Sequence, residues 1–343
     1  MVAPEPAAAE RALARAGADL LRTTFVAVPT NDTWVRDYGP LSVVTRAGLR
    51  RLDFAFNAWG LKFAAALDNL VTRRLHAAGV LGPAPLRQVP LVLEGGSIES
   101  DGRGSLLTTA ACLLEPNRNP GLSRAAITRQ LKRCLGARRV LWLEHGVLEG
   151  DNTDAHIDTL ARFVPDDGIV YTACDDRRDV HYTRLRAMER EICGLRTLAG
   201  KRYRRFPLPW PKAIRGRNGG RLPATYANFL ILNGAVLVPT YRDAADAAAL
   251  AVVGQAFPGH EIVGIDCLPL LVQHGSLHCL TMQLPVSLTP LSPPASARPT
   301  PPGNASERWK RGGIQAAPGP VALQKTRAKP VGGRAASRAA ALH

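Results

Sequence analysis

The stretch ANFLILNGAVLVPTYRDAADAAALAVVGQAFPGHEIVGI, residues 227–265, decides the fold. Ala227 to Leu232 and Ala235 to Val238 are apolar runs separated by Asn233-Gly234, the dipeptide that tolerates the two positive-φ positions of a tight hairpin turn. A helix is predicted over 244–256 and a strand over 261–265. Hairpin, helix and strand in that order make a ββαβ unit.

Working outward, the same rhythm recurs. A helix is expected over 8–22 and a short strand from Phe25 to Val28. LSVVT (41–45), a turn at Ala47-Gly48 and LRRLDFAFNAW (49–59) predict a hairpin, followed by a helix from Asn69 to Leu75. Val89 to Leu93 reads as a strand stopped by Gly95-Gly96, with Ser105 to Thr109 as its partner across a turn at Asp101-Gly102. A helix over 123–135 precedes strands over 139–143, 157–164 and 169–172. A helix from Tyr182 to Cys193, a strand from Tyr203 to Pro207 and a Pro/Gly/Arg loop to Gly220 complete the pattern. Such an α/β chain is compatible with a doubly wound sheet. It fits a ring of ββαβ units at least as well, since hairpins return roughly every 60 residues without a phosphate-binding loop.

A chain of 343 residues with 46% apolar content can build a large core, and Gly 31 with Pro 27 favours short elements over a helical bundle. The net charge of +16 suggests a polyanion binder, but half of it is concentrated at one end. Residues 286–343 hold nine Lys or Arg, the single acid Glu307 and nine prolines, which predicts a disordered basic tail able to contact polyanions non-specifically. The folded domain is therefore assigned to 1–285. The rest of the chain has neither a zinc-finger pattern nor an aromatic RNA-reading motif. With no apolar run of membrane-spanning length and no signal-type segment, a cytoplasmic protein without membrane contact is expected. The six cysteines form no CxxC pair and read as free thiols.

Four polar clusters interrupt the apolar rhythm, each beside a strand end and each containing glycine: 31–40, 93–120, 148–163 and 273–283. A metal site would draw on His156, Asp158, His274, His278 and Asp37, with His156 and Asp158 sharing one face of a strand. The absence of HExxH and of paired cysteines argues against zinc. Cys279 could be buried packing or a nucleophile at a strand start. His156 could be structural, and Asp37 and Asp158 could be ion-paired to Arg36 and Arg162. A cationic substrate gives the set a joint purpose: carboxylates hold a planar guanidinium, a thiol attacks its carbon, and an imidazole moves protons.

WVRDYGP (34–40), LEGGSIESDGRGSLLTTAACLLEPNRNP (93–120), GDNTDAHIDTLARF (150–163), LPATYANFLILNGAVLVPTY (222–241) and GSLHCLTMQ (275–283) occur in one order over about 23–285. Together they resemble the agmatine deiminase family, within the guanidine-modifying superfamily that includes bacterial peptidylarginine deiminases. The resemblance implies a pseudo-fivefold α/β propeller of ββαβ units around a central site. It implies Cys279 as nucleophile, His156 as general acid and base, and Asp37 and Asp158 as guanidinium-binding carboxylates. Trp34 is implied as a wall of the site, with Glu94, Asp151 and Asn152 as further substrate contacts. The implied activity is hydrolysis of agmatine to N-carbamoylputrescine and ammonia through a Cys-linked thiouronium, in putrescine formation, with no metal or organic cofactor. The partner expected is a small cationic guanidine; a homo-oligomer is compatible with the sequence.

Three departures from the family pattern carry expectations. Family members usually begin with some tens of residues containing a Trp-Pro strand before the equivalent of Phe25, so part of one propeller unit is expected to be missing. Asn152 stands where the family more often has an acid, and an amide cannot neutralise a distal ammonium. QHGSLHC replaces a glycine-rich GGGNIHC run, altering the loop beside Cys279. The alternatives are an arginine or peptidylarginine deiminase, and a catalytically impaired propeller that binds cations.

Overall fold

The structure is a computed structural model that describes residues 1–285; the basic tail expected over 286–343 lies outside the described residues. Among the described residues, fourteen strands form five separate sheets, so the doubly wound alternative does not hold. Strand β1 (Val2–Ala3) pairs in parallel with β2 (Val26–Ala27). The other four sheets repeat one topology. They are β3 (Leu41–Thr45), β4 (Gly48–Ala55) and β5 (Leu86–Val92); β6 (Ile98–Ser100), β7 (Ser105–Thr109) and β8 (Arg139–Leu143); β9 (Ala161–Val164), β10 (Gly168–Thr172) and β11 (Arg204–Leu208); and β12 (Leu230–Ile231), β13 (Ala235–Thr240) and β14 (Glu261–Asp266). In each, the first two strands are antiparallel and the third lies parallel to the second. That third strand needs a crossover, supplied in turn by the helices Val71–Ala77, Arg124–Leu135, Tyr182–Gly194 and Asp246–Ala256.

Local chemistry explains the crossovers. Ser123 Oγ accepts from Ala126 N at 3.3 Å at the start of Arg124–Leu135, and Gly136 ends it in the left-handed region at φ 71°. Between those caps Ile127, Leu131 and Cys134 recur at helical spacing and bury one face among Leu106, Leu113 and Ala137. The last unit buries Ala249, Val253 and Ala256 of its helix in one cluster with Val236 and Val238 of β13. Each fully buried Val or Leu contributes about 1.5–3 kcal/mol, so packing of helix on sheet holds each unit together. No helix among the described residues is long and apolar enough to cross a membrane. All six cysteines are free, as their spacing predicts.

Several expected elements differ. The helix over 8–22 stops at Arg15, because Gly17 takes φ 75°, and a separate 3-10 turn covers Leu20–Arg22. The partner of β7 is not the 89–93 strand but β6, across the Asp101-Gly102 turn, while β5 pairs with β4. Strand β4 ends at Ala55 rather than running to Trp59. The expected strand over 157–164 begins as a 3-10 turn, Ile157–Thr159, and Cys279 also lies in a 3-10 turn, His278–Leu280, not at a strand start.

These turns position the site. A short turn precedes the first strand of each three-stranded sheet: Val35–Tyr38, Gly95–Ser97, Ile157–Thr159, and the segment through Asn228 before β12. The fifth, His278–Leu280, follows β14. Neighbouring turns are joined by Gly96 N to Asp37 Oδ1 (3.0 Å), Asn228 Nδ2 to Asp158 O (3.5 Å), His278 N to Asn228 O (3.2 Å) and Arg36 Nε to His278 O (3.3 Å). The turns at 95–97 and 157–159 also pack against each other.

Candidate active site

Asp37 is buried on the turn Val35–Tyr38, and both its oxygens are oriented by donors. Oδ1 accepts from Gly96 N at 3.0 Å and Oδ2 from Trp59 Nε1 at 2.9 Å. Trp59 reaches it from an unusual backbone: Ala58, Trp59, Gly60 and Leu61 have φ of 54°, 56°, 82° and 65°. A left-handed turn costs L-residues about 1–2 kcal/mol each. Asn57 helps hold it, accepting from Gly60 N at 3.1 Å and donating to Asn117 O at 2.9 Å.

His156 and Asp158 are 1% and 0% exposed. They come together on a 3-10 turn, not on one face of a strand. Asp158 Oδ2 lies 2.7 Å from His278 Nδ1, while its Oδ1 and both ring nitrogens of His156 have no hydrogen-bond partner among the described residues. Gly96 shows how tightly these groups converge. A Cβ there would lie 2.5 Å from His156 Nδ1, 2.9 Å from Asp37 Oδ1 and 3.1 Å from Asp158 Oδ2.

Burial sets the charge states. It pushes Asp37 well above the carboxylate range, helped by Asp158 and Glu94, and raises Asp158 to about 7. Burial, with Arg118 and Lys62 nearby, holds His156 well below the usual histidine value, so the imidazole is neutral. Two carboxyl groups without a cationic partner therefore flank a neutral base, and burial favours their protonated forms until a cation arrives.

The alternative in which Asp37 and Asp158 are ion-paired to Arg36 and Arg162 is not what forms. Arg36 donates to His278 O, Thr281 Oγ1 and Gln283 Oε1, the last at 2.6 Å. Arg162 pairs with Glu99 (Nε to Oε2, 2.7 Å) and donates to the carbonyls of Ala227 and Phe229.

Cys279 is 8% exposed, and its Sγ lies 3.4 Å from Asn228 Oδ1. Burial, and then the charges of Asp158 and Asp37, push the thiol well above its ordinary value. Trp34 packs in the same apolar cluster, its ring against Gly275, where a Cβ would collide with it. The altered loop therefore keeps the glycine that Trp34 requires. Ser276 is buried with Oγ 3.0 Å from Tyr241 Oη. His274 is exposed and contacts Gly150 O at 3.0 Å, separate from the cluster of His156, Asp158, His278 and Asp37.

Glu94 is fully buried, its two oxygens 2.9 and 3.0 Å from Arg118 Nε, while Arg118 Nη1 and Nη2 bond Asp154 Oδ2 (2.7 Å) and Thr153 O (2.8 Å). Glu94 Oε2 lies 4.0 Å from His156 Nε2, so it backs the imidazole rather than facing open space. Asp151 is occupied locally, accepting from Thr153 N and Oγ1 and from Ala155 N, which shapes the loop leading to His156. Asn152 is exposed; its carbonyl accepts from Lys62 Nζ at 2.9 Å, and Lys62 also bonds Asp154 at 2.6 Å. Among the described residues, Glu94, Cys112 and His156 are the group with metal-ligand proximity. The donors fit a cation poorly, since Arg118 already occupies Glu94 and burial holds the Cys112 thiol well above its usual value.

Asn228, Trp59 and Arg118 complete the arrangement and were not singled out by the sequence as site residues; His278 was named there only as a candidate metal ligand. Asn228 had a signal: it is the polar residue inside the apolar run of 227–232. Trp59 had none, because its role depends on a left-handed turn.

The sequence profile of the family described as Porphyromonas-type peptidyl-arginine deiminase matches residues 1–285. The agmatine deiminase of Ectopseudomonas mendocina is 36% identical over 299 residues, covering 80% of each chain. A solved Porphyromonas gingivalis chain with the provisional name arginine deiminase superposes with TM-score 0.79 at 52% identity, covering 83% of this chain and 84% of its own. The substrate-bound agmatine deiminase of C. jejuni gives TM-score 0.75 at 40% identity, over 81% and 79%.

Proposed function

The chain belongs to the Porphyromonas-type peptidyl-arginine deiminase family, and on that premise we propose that it hydrolyses the guanidinium group of agmatine to N-carbamoylputrescine and ammonia. The observation that carries this reading is the convergence of Asp37, Asp158 and neutral His156 on one small volume. Two buried carboxyl groups without a cation suit a flat, delocalised monocation, whose N–H groups can reach the partnerless Asp158 Oδ1 and the remaining lone pairs of Asp37.

Binding that cation offsets the charges that hold the Cys279 proton in place, and His156 accepts it. Sγ then bonds to the guanidinium carbon. His156 returns the proton to the departing nitrogen, the C–N bond breaks, and ammonia leaves an S-alkylthiouronium. Water adds to the same carbon as His156 takes its proton, and collapse of the adduct breaks the C–S bond to give the ureido product. No step uses a metal or organic cofactor. The five hydrogen-bonded turns support a pseudo-fivefold propeller with the β1–β2 sheet in the fifth place, and the activity fits putrescine formation in the cytoplasm.

One observation favours a second reading, an arginine or peptidylarginine deiminase. The Asn152 side chain is uncharged and Asp154 is already paired with Lys62 and Arg118, so this segment offers no free carboxylate to a second substrate cation. Incubation with agmatine, free arginine and an arginine peptide, with ureido product and ammonia quantified, separates the two. Turnover of arginine or the peptide well above agmatine overturns the first reading. Consumption of none of the three leaves a cation-binding protein.

A further inference from the structure

His278 precedes the nucleophile in sequence, and its ring nitrogens contact Asp158 and Arg162. It is 4% exposed and anchored at both backbone ends. Its N–H donates to Asn228 Oδ1 at 3.0 Å, and its carbonyl accepts from Arg36 Nε at 3.3 Å and Thr281 Oγ1 at 2.9 Å. The imidazole bridges two charged groups, with Nδ1 2.7 Å from Asp158 Oδ2 and Nε2 3.4 Å from Arg162 Nη2.

An arginine has donors and no acceptor. Arg162 cannot turn away, since Nε is held by Glu99, Nη1 by the carbonyls of Ala227 and Phe229, and its guanidinium carbon sits 4.7 Å from the Phe229 ring centroid. A proton on His278 Nε2 would face an N–H, so Nε2 must be the lone pair and Nδ1 must carry the proton. Nδ1 then donates to Asp158 Oδ2, a bond that is stronger when Asp158 is a carboxylate.

We propose that His278 is a positioning residue, fixed by Arg162 as the Nδ1–H tautomer, which holds Asp158 ionised with its free Oδ1 turned toward the substrate guanidinium. The arrangement resolves a conflict in the site, because burial alone opposes the ionised form that cation binding needs. The other groups facing Asp158 are Arg36 and Arg162, which favour its charge, and Glu99 and Asp151, which oppose it. Asp37, His156 and Cys279 are further ionisable neighbours. Burial, Arg162, Arg36 and His156 all disfavour an imidazolium at His278, so a neutral ring is what Arg162 selects between tautomers.

The catalytic consequence rests on the deiminase reading above; the tautomer does not, and the tests separate the two. In histidine-15N-labelled full-length protein, two-bond proton–nitrogen correlations should show His278 neutral with the proton on Nδ1 from about pH 5.5 to 8. The signal is assigned by its loss in His278→Asn. A proton on Nε2, or on both nitrogens, overturns the proposal whatever the activity.

For catalysis, His278→Leu removes the donor and should lower kcat/KM about tenfold to hundredfold, as expected for a lost hydrogen bond to a buried charge. The acid limb of its pH profile should move to higher pH, because Asp158 protonates more readily. His278→Asn can place an amide N–H where Nδ1–H was, and should restore most of the rate and the original limb. A purely structural histidine would not produce this order. Equal rates in the two variants, at melting temperatures within a few degrees of wild type, overturn the positioning role, as does an unmoved limb in His278→Leu. Failure of the wild-type chain to deiminate any guanidine would remove the catalytic reading and leave the tautomer assignment standing on its spectrum.

Discussion

Replacing Asp158 by Asn should make the protein more stable and less active, with the gain in stability confined to neutral and alkaline pH. An asparagine can keep Oδ1 as acceptor for His278 and place its amide nitrogen where the partnerless oxygen stands, so the packing survives. What disappears is a buried charge. Asp158 titrates at about 7 in the fold, against an ordinary 3.8. Because the folded value is raised, the folded state retains a proton that the unfolded chain releases; stability therefore falls as pH rises through 3.8 to 7, and the loss is complete above that window. Three units correspond to about 4 kcal/mol, an upper bound because neighbouring groups relax. At about 2–4 °C per kcal/mol for a chain of this size, Asp158→Asn should melt about 5–10 °C above wild type at pH 8.5 and nearly with it at pH 4. Over the same comparison, kcat/KM for the guanidine substrate should fall at least about a hundredfold, since one half of the cation's binding surface is gone. Thermal scans at pH 4, 7 and 8.5 beside steady-state kinetics provide the check. A variant less stable than wild type at pH 8.5, or shifted equally at all three pH values, would mean that Asp158 is a salt-bridged structural carboxylate, and the reasoning fails.

Four further expectations follow from other atoms of the site. Cys279→Ala should abolish ammonia release, by at least about a thousandfold, while unfolding close to wild type; residual turnover of several per cent rejects covalent catalysis. Gly96→Ala should inactivate as severely without touching any reacting group, because the methyl would crowd His156, Asp37 and Asp158 at 2.5–3.1 Å; wild-type kinetics in this variant would show that the volume is not used by substrate. Asn152→Glu should lower KM for agmatine several-fold with kcat nearly unchanged, since a distal contact acts equally on ground and transition states; an unchanged KM removes Asn152 from the substrate path. The polyanion contact proposed for 286–343 predicts heparin retention that falls steeply with salt and is lost on truncation at 285; retention by the shorter chain places the basic surface on the catalytic domain instead.

Strand order was readable where turn chemistry is local. Asn233-Gly234 specifies its hairpin within a few residues, whereas Asp101-Gly102 marks a turn whose upstream strand was expected over 89–93 and is Ile98–Ser100. Pairing between strands joined by a crossover was not readable in the same way. Nothing near Val89 says that its partner is Phe54 rather than a strand further on, because that choice follows from how a helix packs back on the sheet. The site divides similarly. Cys279, His156, Asp37 and Asp158 carry their chemistry in their side chains and stand in dense polar clusters. Trp59, Asn228 and His278 act through where the backbone carries them, and Trp59 depends on a left-handed turn that no propensity announces. Asp151 looked like a substrate ligand by type, but its oxygens are occupied by the loop it shapes.

The ion pair between Glu94 and Arg118 explains why this acid does not compete with Asp37 and Asp158 for one cation. Glu94 is neutralised by Arg118, which also ties it to the 153–154 loop, so its contribution is to back His156 and fix the rim. Asp37 and Asp158 receive only neutral donors, from Trp59, Gly96 and His278, which orient a carboxylate without cancelling its charge. Burial, and the negative charge of these two groups when ionised, disfavour the Cys279 thiolate until a cation enters. The same two side chains therefore select a guanidinium and withhold the nucleophile in its absence, so that thiolate formation is tied to the arrival of the group it attacks.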